Sequence, residues 1–198
     1  VSFNIPAKPV IDEQIIKKSR FITFIQRARN KTEAVQCIRD IKTAHPDARH
    51  HCWAYIAGHP TETTDIGFSD DGEPQGTAGK PILNVLQHKQ VGEIVLVVVR
   101  YFGGIKLGAG GLVRAYSSSA HLAAEKLETT LLVPTKKLAF QIHYELEQKV
   151  QHYLKGQGFK LTKSDYAENI TLEVDVPEQM FESTKQTLTD ITSGKVFF

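Results

Sequence analysis

The segment that most constrains the fold is Ile94-Val95-Leu96-Val97-Val98-Val99. Six aliphatic residues follow one another with no polar alternation. A strand built from them has no face it can turn to water, so the pattern predicts a fully buried strand across about Glu93 to Phe102. A membrane span needs roughly twenty apolar residues, so this run is not one. The polar remainder suits a globular chain: 41% of the 198 residues are hydrophobic and 23% are charged. That excludes wholesale disorder, which requires few apolar residues and a large net charge.

Around this strand the sequence alternates between β and α patterns. Phe21 to Ala28 reads as a strand, and Thr32 to Ala44 as a helix capped by Thr32. His51 to Ala57 alternates as a second strand, and Ile66 to Ser69 as a short one. Thr77 to His88 reads as a helix with Pro81 near its first turn. A helix over about Gly111 to Glu128 carries Leu112, Tyr116, Ala120, Ala123 and Leu127 in one stripe. The order then changes near Pro134, which predicts two domains, residues 1–134 and 135–198. The second reads as a strand over Leu138 to Tyr144, a helix over Glu145 to Lys155, a hairpin, a helix after Pro177 and a last short strand at Val196-Phe197-Phe198. The order βαββα(β) is a split βαβ, ferredoxin-like arrangement.

Charge is nearly balanced, at a net +2, and does not by itself demand nucleic acid or membrane. Its distribution is uneven. Residues 1–134 hold 16 basic and 13 acidic side chains, and residues 135–198 hold 8 and 9. Lys17, Lys18, Arg20, Arg27, Arg29 and Lys31 fall within fifteen residues that contain no acid. Such a cluster can attract phosphates or form a solvated strand face. The two cysteines, Cys37 and Cys52, make no disulfide framework. Val1 to Val10 contains Pro6 and Pro9 and no apolar export core, so a cytoplasmic location is expected.

The segment richest in chemistry is Arg100-Tyr101-Phe102-Gly103-Gly104-Ile105-Lys106-Leu107-Gly108-Ala109-Gly110-Gly111. A buried strand gives way to five glycines in nine residues and then to a helix. Glycines admit close backbone approach, and a helix start offers free N–H groups to an anion. Lys80, Arg100, Lys106 and Arg114 are the candidate contacts for phosphate or an acidic partner. Gly103, Gly104, Gly108, Gly110 and Gly111 form the candidate binding loop. Neither the Walker loop nor the dinucleotide fingerprint fits, since the latter would need glycine where Val113 stands. The plain alternative is a tight strand-to-helix turn, with Tyr101 and Phe102 serving the core.

Asp70-Asp71-Gly72-Glu73-Pro74 offers three carboxylates, yet lacks the alternation of a calcium loop and suits an Asx turn before a helix. His45, His50, His51 and His59 lack zinc-ligand spacing, so no metal site is expected. No catalytic residue and no cofactor are assigned. Ser117-Ser118-Ser119 lies inside a helix rather than at a nucleophile elbow.

These residues resemble the signature of the YigZ/Impact family. The resemblance runs through Gly79-Lys80-Pro81-Ile82-Leu83, Leu86, Val91, Val97-Val98 and Arg100 to Gly108, with Ser19-Arg20-Phe21 and the Asp70 to Pro74 stretch beside it. It covers about residues 15–128, and the C-terminal part looks like the smaller domain of the prokaryotic branch. It implies an α+β protein of two-layer α/β sandwiches. The first domain would resemble domain IV of elongation factor G, and the second, ferredoxin-like, its domain V. It further implies a non-enzymatic, translation-associated regulator whose partner is RNA, the ribosome or a translation factor. The kinase-restraining role of eukaryotic members uses a further N-terminal module and is not expected to carry over. Ile170 to Val176 has no ring to stack a base. Two alternatives are a phosphate-ester-using enzyme of the small-molecule-kinase type and a purely protein-binding regulator. For the enzyme, Gly110-Gly111 followed by Ser118-Ser119-Ala120 is a loose echo.

Overall fold

In the computed structural model, which describes residues 1–198, the buried run becomes the central strand of a five-stranded antiparallel sheet. The elements in chain order are β1 (Phe3–Pro6), β2 (Val10–Ile16), β3 (Ser19–Arg27), α1 (Lys31–Ala44), β4 (His50–Ile56), β5 (Ile66–Ser69), α2 (Gly79–Lys89), β6 (Ile94–Tyr101), α3 (Ala109–Glu125) and β7 (Thr129–Leu132). The sheet order is β2-β3-β6-β4-β5. Every residue of β6 from Ile94 to Arg100 is buried. A separate two-stranded ribbon pairs β1 with β7.

Because β6 is apolar on both faces, both faces of the sheet must be covered, and they are. Leu96 and Val98 pack with Phe21, Ile25 and Cys52 under α2 and α3. Val95, Val97 and Val99 pack with Ala34, Cys37 and Ile38 of α1 on the other side. The protein is mixed α/β as expected, with one addition in this unit: α1 forms a third layer. Burying one valine-sized side chain is worth about 1.5–3 kcal/mol, so leaving three open on one face would be costly.

The chain divides into two compact units. One is Phe3–Leu132, and the other is Val133–Phe198 with Val1–Ser2. The second unit runs β8 (Thr135–Ile142), a 3₁₀ turn, α4 (Glu147–Gly156), β9 (Lys160–Tyr166), β10 (Ile170–Pro177), a second 3₁₀ turn and α5 (Phe181–Ile191). Its sheet order is β8-β10-β9, all antiparallel. Phe197 bridges back to Gln141 on the free edge of β8, so the split βαβ order is complete. Leu138, Phe140 and Ile142 alternate inward with Ile170, Leu172, Val174 and Val176 to meet Val150, Leu154 and Leu188 of the two helices.

Local corrections have local causes. The cap of α1 is Asn30 rather than Thr32: its side-chain oxygen accepts from Glu33 N–H at 2.9 Å. Three further strands, β1, β2 and β7, lie where the sequence pattern predicts none. β2 is an edge strand whose Ile11 and Ile15 are exposed while Asp12 is buried, so its residue pattern gives no clear strand signal.

Candidate functional site at the glycine loop

The glycine loop leaves the end of β6 and opens α3. Gly103 is required by close approach: a Cβ there would overlap the carbonyl of Lys18 at the tip of the β2–β3 hairpin. Gly103 N–H also donates to Ser19 Oγ at 3.3 Å, which fastens the loop to that hairpin. Gly108 stands immediately before α3 with φ +73, a conformation that side-chain-bearing residues rarely adopt. No side chain caps the helix, and its first turn holds no acid. The first helical bond is Leu112 N–H to Gly108 O at 2.9 Å, so the amides of Ala109, Gly110 and Gly111 have no helical partner. The loop therefore presents N–H groups and partial positive charge.

Arg100 sits differently from the expectation of an open phosphate contact. It is 5% exposed, and its Nη1 donates to Glu73 Oε1 at 2.6 Å. Tyr116 Oη donates to the same oxygen at 2.8 Å, and Arg100 Nη2 reaches Ser19 Oγ at 3.4 Å. The guanidinium lies 5.5 Å from the Phe21 ring centroid and 5.6 Å from that of Phe102. Its charge is thus matched by Glu73, and only its Nε lacks a partner. Arg100 is a wall of the site, held by a buried network, rather than a free cation. An arginine following six buried aliphatics has few other solutions, because a buried charge must be paired.

The partner of that arginine comes from the acidic stretch, whose three carboxylates do three separate jobs. Asp70 works as a remote cap for α2: Oδ1 accepts from Ala78 N–H at 3.0 Å and Gly79 N–H at 2.8 Å, and Oδ2 from Gly76 N–H at 2.8 Å. Burial alone would raise its pKa, but these amides outweigh it and hold the carboxyl below its ordinary value. Asp71 accepts from Lys42 and from His51 N–H, both at 2.7 Å. It too is held low, against the effect of burial, chiefly by the Lys42 hydrogen bond. Glu73 turns inward to Arg100. No group of three or more His, Cys, Asp or Glu side chains stands close enough to hold a metal ion.

Between the acidic stretch and the glycine loop lies a cleft of about 380 Å³. Arg49, His50, Arg100, Phe102, Lys106 and Gly108 are among the residues that line it. Arg49 and Lys106 are exposed and make no ion pair. His50 Nδ1 bonds the Asp71 carbonyl at 2.9 Å, and its Nε2 lies 3.9 Å from Glu73 Oε2. The structure thus brings together Arg100, Lys106 and Gly108 of the predicted set. Arg114 and Gly111 line an adjoining hollow with Lys17, and Leu107 borders both spaces. Gly110 lies in the first turn of α3, and Gly104 takes φ +87 in the open part of the loop. Lys80 is not part of this group: its Nζ lies 5.8 Å from the Phe68 ring at the other sheet edge. Sequence reasoning missed Arg49 and weighed His50 only as a metal ligand, and both reach the cleft, from β4 and the residue before it. The only available signal was their place at the start of a strand beside the buried one.

Comparison with known proteins follows these features closely. A model of the Impact N-terminal domain matches residues 17–124, which hold the hairpin tip, both carboxylate and glycine segments, and α3 up to its last residue. A domain of unknown function (DUF1949) matches residues 140–195. The chain belongs to the IMPACT family. An IMPACT family member of Haemophilus influenzae is 42% identical over 98% of this chain and 94% of its own. The family member YigZ of Escherichia coli is 41% identical over 98% of this chain and 96% of its own. A solved structure described as "Crystal structure of an hypothetical protein" superposes with a TM-score of 0.74 at 41% identity, covering 98% of this chain and 95% of that one. No helix is long and apolar enough to cross a membrane.

Proposed function

We propose that this protein is a non-enzymatic, translation-associated regulator of the cytoplasm that binds RNA, free or in the ribosome, through the cleft at the glycine loop. One observation carries the reading. Arg49 and Lys106, both exposed and unpaired, face the uncapped start of α3 across a cleft whose only carboxylate, Glu73, is already matched by Arg100. An arrangement of free cations and open amides recognises phosphate oxygens. The family resemblance implies halves like elongation factor G domains, and that implication supports RNA as the owner of those phosphates.

The absence of catalysis is supported by the state of the buried groups. Burial pushes the Cys52 thiol far above its ordinary pKa, and its Sγ donates to the Asp70 carbonyl at 2.9 Å. Burial likewise pushes the Tyr116 hydroxyl up, with Cys52 and Glu73 adding to the effect. Neither supplies a nucleophile near neutral pH. A phosphate-ester-using enzyme is the second reading, and His50 favours it. With Nδ1 occupied by a carbonyl, its Nε2 is left at the cleft to accept a proton.

The deciding experiment is RNA and ribosome binding across a salt series, with wild type beside Arg49→Ala/Lys106→Ala. Each lost phosphate contact on a single strand lowers the log–log salt slope by about 0.7, so the double variant should lose about 1.4. No wild-type binding at low salt overturns the reading. ATP stabilising a wild type that binds no RNA replaces it with the enzyme.

A further inference from the structure

Beside the cleft, across Leu107, lies a second hollow of about 260 Å³ that the proposed contact does not use. Its wall holds Lys17, Arg114, Gly111, Ser118, Ile16 and Leu107, with no acid among its residues. Lys17 and Arg114 are exposed, and neither makes an ion pair. Three other cations of the same basic cluster do: Arg20 pairs with Glu13 at 2.7 Å, Arg27 with Glu93 at 2.7 Å, and Arg29 reaches Glu33 at 4.0 Å. The cluster is thus divided. Its three arginines each have a carboxylate partner and its three lysines have none, and of those lysines Lys17 and Lys18 stand at the hairpin beside the loop. Arg114 is folded back toward the start of α3, with Nη1 3.7 Å from where a Cβ on Gly110 would stand.

The hairpin tip is shaped for this position. Ile16 pairs with Ser19, so Lys17 and Lys18 form a two-residue turn, with φ +46 and φ +65. That turn favours Asn-Gly, and a lysine at positive φ is strained. The tip is nonetheless locked against Gly103, where any side chain would collide with the Lys18 carbonyl. In the first cleft, Arg100 forms part of the wall, with its charge already matched by Glu73, so the cations left for a ligand there are Arg49 and Lys106. Two adjoining hollows, each with two unpaired cations and a shared leucine wall, suit a ligand with phosphates in succession. A single phosphate can occupy only one of them.

We infer that the ligand is a single strand of RNA, with one phosphate between Arg49 and Lys106 and a neighbouring one between Lys17 and Arg114. This rests on the RNA reading above and extends it from one phosphate to a track. A duplex is not required, since the contacts follow one backbone.

The test compares uridine monophosphate with an oligouridylate of about eight nucleotides, a typical single-strand site size. Titrations across a salt series use wild type, Lys17→Ala/Arg114→Ala and Arg49→Ala/Lys106→Ala, each checked for an unchanged thermal midpoint. The expected result has two parts. The oligonucleotide slope falls by about 1.4 in the Lys17/Arg114 variant, two contacts at about 0.7 each. The monophosphate affinity of that variant falls less than the oligonucleotide affinity, because a single phosphate can still use the first cleft while the oligonucleotide loses one of its two phosphate sites. An unchanged oligonucleotide slope in this variant overturns the track, and so does an equal loss for monophosphate and oligonucleotide. Wild type binding neither probe at low salt overturns the underlying RNA reading. Loss confined to the Lys17/Arg114 variant, with none in Arg49/Lys106, also overturns it by removing the first cleft from the contact.

Discussion

Asp70 and Arg100 show how little a residue's identity says about its duty until its neighbours are known. Both are charged residues beside the loop region, and both end up holding other parts in place. Asp70 accepts three backbone N–H bonds at the entry to α2. Asp70→Asn keeps one acceptor oxygen for Ala78 and Gly79 N–H but loses the charge and the oxygen that faces Gly76 N–H, and should cost about 1 kcal/mol at neutral pH. The pH dependence has a definite sign. The folded carboxyl titrates below its ordinary value of 3.8, so its stabilisation is present in full above that value. It is lost as the pH falls through the lower folded value. The gap between wild type and Asp70→Asn in denaturant titrations should therefore be widest near neutrality and shrink below pH ~3.8. A gap that stays constant with pH would assign the effect to shape rather than charge. The Asx-turn reading of this stretch was available from residue type alone. The Glu73 to Arg100 pair was not, because those residues lie 27 positions apart and meet only when β6 passes the stretch.

At the level of elements, the long ones were legible and the edges were not. β6, α1, α2, α3 and the strict alternation of β10 each carry their period in the residues themselves. β2 does not, because an edge strand exposes Ile11 and Ile15 and borrows its order from β3. The hairpin that joins them was hidden for the same reason: Lys17-Lys18 carries no turn signal. Its strain yields a prediction. Lys17→Asn with Lys18→Gly should stabilise the protein by about 1–2 kcal/mol, since both residues then suit positive φ. The denaturant midpoint should rise with no change in slope. The same change should weaken oligonucleotide binding, because it removes Lys17 from the track. A lower midpoint would show that the lysine side chains stabilise the turn by contacts that outweigh their strain.

For the whole molecule, the two units each have their own core: two apolar clusters flank the five-stranded sheet, and a third fills the split βαβ unit. A fragment spanning Phe3–Leu132 should be soluble and unfold in one cooperative thermal transition by calorimetry and circular dichroism. A broad transition without a calorimetric peak would mean that its core is incomplete alone. The sequence by itself determined the buried strand, the helix faces, the change of order near Pro134 and the glycine loop. Each depends on residues within one or two turns of each other, where periodicity and backbone freedom act directly. Only the tertiary structure decided which charges are free. By residue type Arg100 and Lys80 belong with the cations of the loop, yet Arg100 is matched by Glu73 and Lys80 lies against Phe68, while Arg49, which carries no local signal, faces the cleft. The physical reason is that a charge is defined by its partner and its solvent. Both are set by chain segments that pack together from far apart in the sequence.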